Sequence, residues 1–248
     1  SLDAMRAEIV GLSLCVEPGK AAYVPMHHRY PGAPDQLTRE FVLQKLAPWL
    51  QDSSKPKLGQ HLKYDSHVLA NYGIALKGIV HDTLLQSYVI ESHRTHDMDS
   101  LALRWLDKKT ITYEQVCGKG ASQIGFDEVS IETATEYAAE DADITLRLHQ
   151  KLWPRIEAND KLRFIYERIE VPTSLVLQRM ERNGVLIDVD LLVAQSNELG
   201  AKLMELEKEA HALAEQPFNL NSPKQLGEIL FEKLKDRKST RLNSSHTD

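Results

Sequence analysis

Tyr137 and Asp141 lie one helical turn apart in the segment YAAEDADITLRLHQKLW, residues 137–153. Tyr137, Ile144, Leu148 and Leu152 recur at the three-and-four spacing of one helix face, and Asp141 falls on that same apolar stripe. A carboxylate on such a face needs compensation, because taking its charge out of water is costly. A proton, an Arg or Lys partner, or a metal ion can supply it. For a lone acid, a salt bridge or a helix cap is the ordinary answer. Two features shift the balance here. Tyr137 sets a phenol beside the carboxylate at i−4. A second acid, Asp65 in GQHLKYD, stands where a short strand passes into a helix, the kind of place where α/β sheets collect ligand-binding residues. Two separated acids and a tyrosine suit divalent-metal phosphoryl chemistry, since Mg²⁺ takes oxygen ligands and keeps waters of its own.

The elements that must position these residues alternate in type. EIVGLSLCV (8–16) and AAYVPM (21–26) read as strands joined by an EPGK hairpin turn. TREFVLQKLAPWL (38–50) has helical periodicity, KLGQ (57–60) is a short strand, and LKYDSHVLANYG is a helix closed by Gly73. GIVHDTLLQSYVI repeats the strand-to-helix step, with Asp82 as a cap, and MDSLALRWL leads toward the helix that carries Tyr137. The expected fold of residues 1–153 is α/β, a mixed sheet flanked by helices.

From Trp153–Pro154 onward the pattern is nearly all helical, and this switch is the expected domain boundary. FIYERIEVPTSLVLQRMERNG is helical with Pro172 as an interruption, and Asn183-Gly184 ends it. Asp188 caps a long charged helix reaching about Glu215. In NLNSPKQLGEILFEKL, Ser222 is an N-cap, Pro223 takes the first helical position, and Gln225 completes a capping box. The run DRKSTRLNSSHTD (236–248) is polar and follows a helix cut off mid-pattern. It resembles a translated sequencing adapter and is expected to be an artefact, with a disordered tail as the alternative.

The 248 residues, 42% hydrophobic, suffice for a sizeable core. Cys15 and Cys117 make neither a disulfide framework nor a zinc pattern, so a cytoplasmic, reducing setting is expected. The net charge of −6 argues against a protein that holds nucleic acid by bulk electrostatics, but not against carboxylates that hold cations beside a phosphate.

GQHLKYDSHVLANYGI, THDMDSLALRWL, KTITYEQVCGKG and YAAEDADITLRLH, in that order, closely resemble the proofreading 3′→5′ exonuclease domain of bacterial DNA polymerase I, the family A polymerases. RIEVPTSLVLQRMERNGVLID and FNLNSPKQLGEILFEKL resemble the start of the polymerase domain and its thumb, so residues 154–235 are expected to be thumb helices. The resemblance implies a ribonuclease H-like fold and proofreading hydrolysis of 3′-terminal phosphodiesters by a two-metal mechanism. Mg²⁺ is the expected ion, with Mn²⁺ or Zn²⁺ as alternatives. The implied partner is DNA, as a primer-template or a frayed single-stranded 3′ end, and the expected state is a bacterial monomer.

Residue by residue, the resemblance makes Asp65 and Asp141 metal ligands and has Tyr137 hydrogen-bond the attacking water. Leu2 and Tyr113 match the pair that wedges and stacks on terminal bases, and Gln60, His61, Lys63 and Arg94 would line the strand-binding cleft. His61 departs from the asparagine common there, and the loop carrying Arg94 is one residue short. The family's first motif, an Asp-x-Glu pair on an opening strand, would precede the segment SLDAMRAEIVGLSL. The chain as given is therefore expected to lack that strand and to be inactive and poorly stable by itself, with polymerisation beyond its reach. The competing readings are a ribonuclease D-like exoribonuclease and a non-catalytic domain that keeps the fold.

Overall fold

The computed structural model describes residues 3–235. Two strands, β1 (Gly11–Glu17) and β2 (Lys20–Pro25), form an antiparallel hairpin in which Leu12 pairs with Val24 and Leu14 with Ala22. Its turn carries Gly19 at φ +81°, a left-handed conformation that glycine adopts without strain. After α1 (Arg39–Leu50) come β3 (Lys57–Gly59), α2 (Leu62–Ala70), β4 (Ile79–Asp82) and α3 (Thr83–Ile90). Strands β3 and β4 pair in parallel, with α2 in the crossover. Both strand senses of a mixed sheet are thus present, but among the described residues they form two separate pairs. Helices α4 (Met98–Leu106), α5 (Tyr113–Cys117) and α6 (Ile131–Glu157) follow, with Thr112 and Gln115 closing a capping box on α5.

Two apolar clusters hold these layers. Ile9, Met26, Val42, Leu43, Leu50, Leu69 and Ile74 join the hairpin side to α1 and α2. Leu101 and Ala102 of α4 meet Ile144, Leu148 and Leu152 of α6, all five with no exposed surface. The stripe expected on the Tyr137 helix is therefore the packed face of α6. Each of its Leu and Ile side chains is worth about 1.5–3 kcal/mol of burial.

Asp82 joins the β3–α2 and β4–α3 units. It is 3% exposed, and its carboxylate accepts from the backbone N–H groups of His61 (3.0 Å), Leu62 (2.8 Å) and Leu84 (2.9 Å). One side chain thus caps α3, as expected, and also the N-terminus of α2. His61 needs no side-chain cap of its own and turns left-handed, at φ +61°. Behind Asp82, its own N–H donates to the Tyr166 hydroxyl oxygen at 2.9 Å.

The helical part that follows divides between two compact units. These units of the chain divide at Gly184 and Val185. Helix α6 runs through Pro154 to Glu157, and Tyr166, 1% exposed, packs 5.7 Å from the Trp153 ring, so residues 154–184 belong to the first unit. Pro172 follows a π-turn (Tyr166–Glu170) that joins α7 (Asp160–Ile165) to α8 (Val171–Asn183): the regular α-helical ladder is interrupted there, as expected, while the backbone stays helical throughout. In the second unit, α9 (Val189–Ala214) is capped by Asp188 and α10 (Pro223–Gly227) by Ser222, as expected. Gln225 does not close the capping box there, because its side-chain oxygen accepts from the Asn219 N–H at 2.8 Å instead. The run 236–248 lies outside the described residues.

Replacing Asp82 uncaps two helices at once. Asp82→Ala is expected to cost about 2–3 kcal/mol, since one lost cap costs roughly 1 kcal/mol. Asp82→Asn keeps an acceptor and should cost clearly less. Urea unfolding of the two variants checks this; equal losses would show that the caps are not the reason.

Candidate active site

Asp65 sits in the first turn of α2, three residues past the Asp82 cap, and Asp141 on α6, just ahead of the fully buried part of its stripe. Asp65 keeps a face open to solvent while protein crowds it elsewhere. That crowding first, and the charge of Asp82 second, raises its carboxyl to about 7. Asp141 is half-buried; burial is again the main cause and lifts its carboxyl to about 7, helped by the charges of Asp99 and Glu140. The Tyr137 hydroxyl hydrogen-bonds to the Asp141 carboxyl and opposes this rise. Burial and the neighbouring carboxylate push the phenol itself well above its ordinary range. Tyr137 gives Asp141 a hydrogen bond, and among the described residues neither Asp65 nor Asp141 forms an ion pair. Two carboxylates held at raised pKa without a basic partner are the electrostatic condition in which a divalent cation gains most.

The donor set is right for a hard cation, all oxygen, but it is not closed. Among the described residues no three His, Cys, Asp or Glu side chains converge closely enough to hold an ion. Mg²⁺ takes six oxygens. Asp65 or Asp141 would each hold such an ion only with further ligands from water, substrate phosphate or other residues.

The other expected residues distribute unevenly. Gln60 is half-buried, donates to the His96 carbonyl at 3.0 Å and accepts from the Thr83 hydroxyl, so its amide is used internally. His61 is exposed beside Tyr64, with ring centroids 6.3 Å apart. Lys63 is bound to Glu181 of α8, and Arg94 is exposed in the turn after Glu91. Tyr113 opens α5 with 41% of its surface exposed, and its phenol, which also contacts Cys117 and Gln123, is pushed up to about 12 mainly by burial of its inner part. Leu2 lies outside the described residues.

Asp99 and Glu140 escaped the sequence reading. Asp99 is a first-turn acid of α4 and accepts from Thr110 at 2.6 Å; Glu140 pairs with Lys108 at 2.9 Å and accepts from the Ile111 N–H at 2.7 Å. Acids in first turns and on solvated helix faces are common, so nothing in their spacing marked them out.

The pH dependence follows from the sign of the two shifts. Both carboxyls titrate higher in the folded chain than the ordinary 3.8, so the stability they contribute is present below 3.8 and is lost as pH rises through about 7. Asp141→Asn and Asp65→Asn are expected to melt higher than the parent at pH 8 and to flatten its decline across that window. Melting curves from pH 4 to 8 check this; unchanged slopes would contradict it.

Comparison with known proteins places these residues in a family. Residues 1–157 match the 3′-5′ exonuclease family model and residues 189–248 that of DNA polymerase family A, families that generally use divalent metals. DNA polymerase I of Pseudomonas aeruginosa is 55% identical over 94% of this chain and 26% of its own length. That of Rhizobium leguminosarum is 42% identical over 94% of this chain and 25% of its own. The chain thus spans about a quarter of the curated relatives it matches. A solved structure, the POL domain of Pol1 from M. smegmatis in complex with DNA primer-template and dNTP, superposes with a TM-score of 0.73 at 25% identity, covering 100% of this chain and 38% of that one. No described helix is long and apolar enough to cross a membrane. With its ribonuclease H-like α/β fold and its continuation into polymerase sequence, the chain belongs to the 3′-5′ exonuclease family of the DNA polymerase I type.

Proposed function

We propose that this chain is the proofreading part of a DNA polymerase I, joined to the start of its thumb, and that its reaction is stepwise hydrolysis of the 3′-terminal phosphodiester of DNA. The observation that carries the reading is the pair Asp65 and Asp141, both raised to about 7 with no basic partner among the described residues, and one of them hydrogen-bonded to Tyr137.

In the proposed reaction a water oxygen attacks the terminal phosphorus and the bond to the 3′ oxygen breaks, releasing a nucleoside 5′-monophosphate and a new 3′-hydroxyl. The Tyr137 phenol keeps its proton at neutral pH and therefore does not act as the base. With that proton directed to Asp141, its oxygen lone pairs remain to accept from the attacking water and fix its direction. Asp65 and Asp141 are the side chains that would hold divalent cations, whose chemistry is to lower the pKa of bound water and offset phosphate charge. Tyr113 offers a partly exposed ring for a terminal base, and such stacking is worth about 1–3 kcal/mol. Mg²⁺, Mn²⁺ and Zn²⁺ all suit oxygen ligands, and a single-stranded or frayed end reaches the crowded Asp65 more cheaply than a duplex. A monomer in the bacterial cytoplasm fits this reading.

The test is 3′ degradation of a mismatched primer end, in Mg²⁺, by the full polypeptide of the gene. Asp141→Ala and Asp65→Ala are expected to lose more than the roughly 10–100-fold typical of an outer partner, and Tyr137→Phe to fall within that range. Undiminished 3′ degradation in the Asp141→Ala protein would refute the reading.

A further inference from the structure

Lys63, one of the side chains expected to meet a DNA strand, is already occupied. Its ammonium lies 2.5 Å from Glu181 Oε1 of α8, while Glu181 Oε2 lies 2.8 Å from His67 Nε2. Both basic groups belong to α2, one turn apart, and His67 is 3% exposed. The His67 Nδ1 is buried without a hydrogen-bond partner, so Glu181 is the only polar group described as satisfying that ring. Hydrogen bonds from Lys63 first and His67 second hold the Glu181 carboxyl below the usual range, keeping it a firm anion. Glu181 itself remains 39% exposed and Lys63 24%, so the pair stands at the surface beside the Asp65 turn rather than in the core.

We propose that Glu181 is a positioning residue that acts as an internal substitute for a strand phosphate, holding Lys63 until a DNA backbone displaces it. The inference rests on the reading that Lys63 faces the bound strand. A carboxylate and a phosphodiester offer a lysine the same thing, an anionic oxygen at hydrogen-bond distance. Their competition lowers the net number of cations a strand can neutralise, which suits an exonuclease that must release its strand between steps. His67 makes the displacement reversible: with Lys63 gone, its ring still holds the Glu181 carboxylate close to the lysine's resting place.

The experiment is binding of a labelled twelve-nucleotide oligothymidylate to the 248-residue chain, in EDTA to prevent cleavage, across a range of KCl concentrations. For single strands, log affinity falls with log salt by about 0.7 per neutralised phosphate. Glu181→Gln frees one cation, so its slope should be steeper than the parent's by about 0.7, with several-fold tighter binding at low salt. In a Lys63→Gln background the same change should alter neither slope nor affinity. An unchanged slope with equal or weaker binding would make Glu181 a strut between helices and overturn the proposal. So would a gain that persists without Lys63, since that reports general charge removal. If the parent chain binds no oligonucleotide at all, this inference is overturned, while the exonuclease reading is decided separately by 3′ degradation in the full polypeptide. A melting curve of Glu181→Gln separates either outcome from unfolding.

Discussion

One buried carboxylate sets the geometry on which the rest depends. Asp82 ends β4 and, with two oxygens and three backbone N–H groups, ties the start of α2 to the start of α3. Burial raises its pKa, yet the partial positive charge at two helix N-termini and the donors aimed at it favour the anion. That anion then acts on Asp65, one turn into α2, whose carboxyl it helps to hold up. A cap required by folding thereby helps to hold the Asp65 carboxyl above its ordinary range.

The second acid is fixed by packing rather than by capping. Ile144, Leu148 and Leu152 lock α6 against α4, and Asp141 sits one turn before this locked stretch, where the stripe opens to solvent. On another face of the same helix, Asp143 accepts from the Gly19 N–H at 2.6 Å and from Arg147 at 2.8 Å, so α6 also holds the hairpin turn. Behind Asp82, burial pushes His149 down to about 4, and the neighbouring His81 adds to this. The two ring centroids lie 4.2 Å apart, tilted by 35°, with the Gln86 amide 3.0 Å from His149 Nδ1. Burial thus favours the uncharged form of both rings.

The sequence exposed whatever follows from short-range rules. The spacing of Tyr137 and Asp141 marked an acid on an apolar face, and the Asp82, Asp188 and Ser222 caps were readable from neighbouring residues. Features that need two distant segments were not readable. Asp82 as a cap for α2, Asp99 beside Asp141, and Glu181 on Lys63 each join elements whose approach only the fold determines. Helical character after Pro154 was readable, and the exonuclease match ends close by at residue 157, but that Tyr166 anchors those helices to β4 was not readable.

The most direct test of this account is carbon-detected NMR of the side-chain carboxyls of Asp65 and Asp141, titrated from pH 3 to 9 with and without Mg²⁺. Midpoints displaced from 3.8 toward about 7 in EDTA, falling when the cation is added, are expected. Two midpoints at the ordinary value, indifferent to Mg²⁺, would mean that neither acid is held in wait for an ion, and the exonuclease site would have to be sought elsewhere.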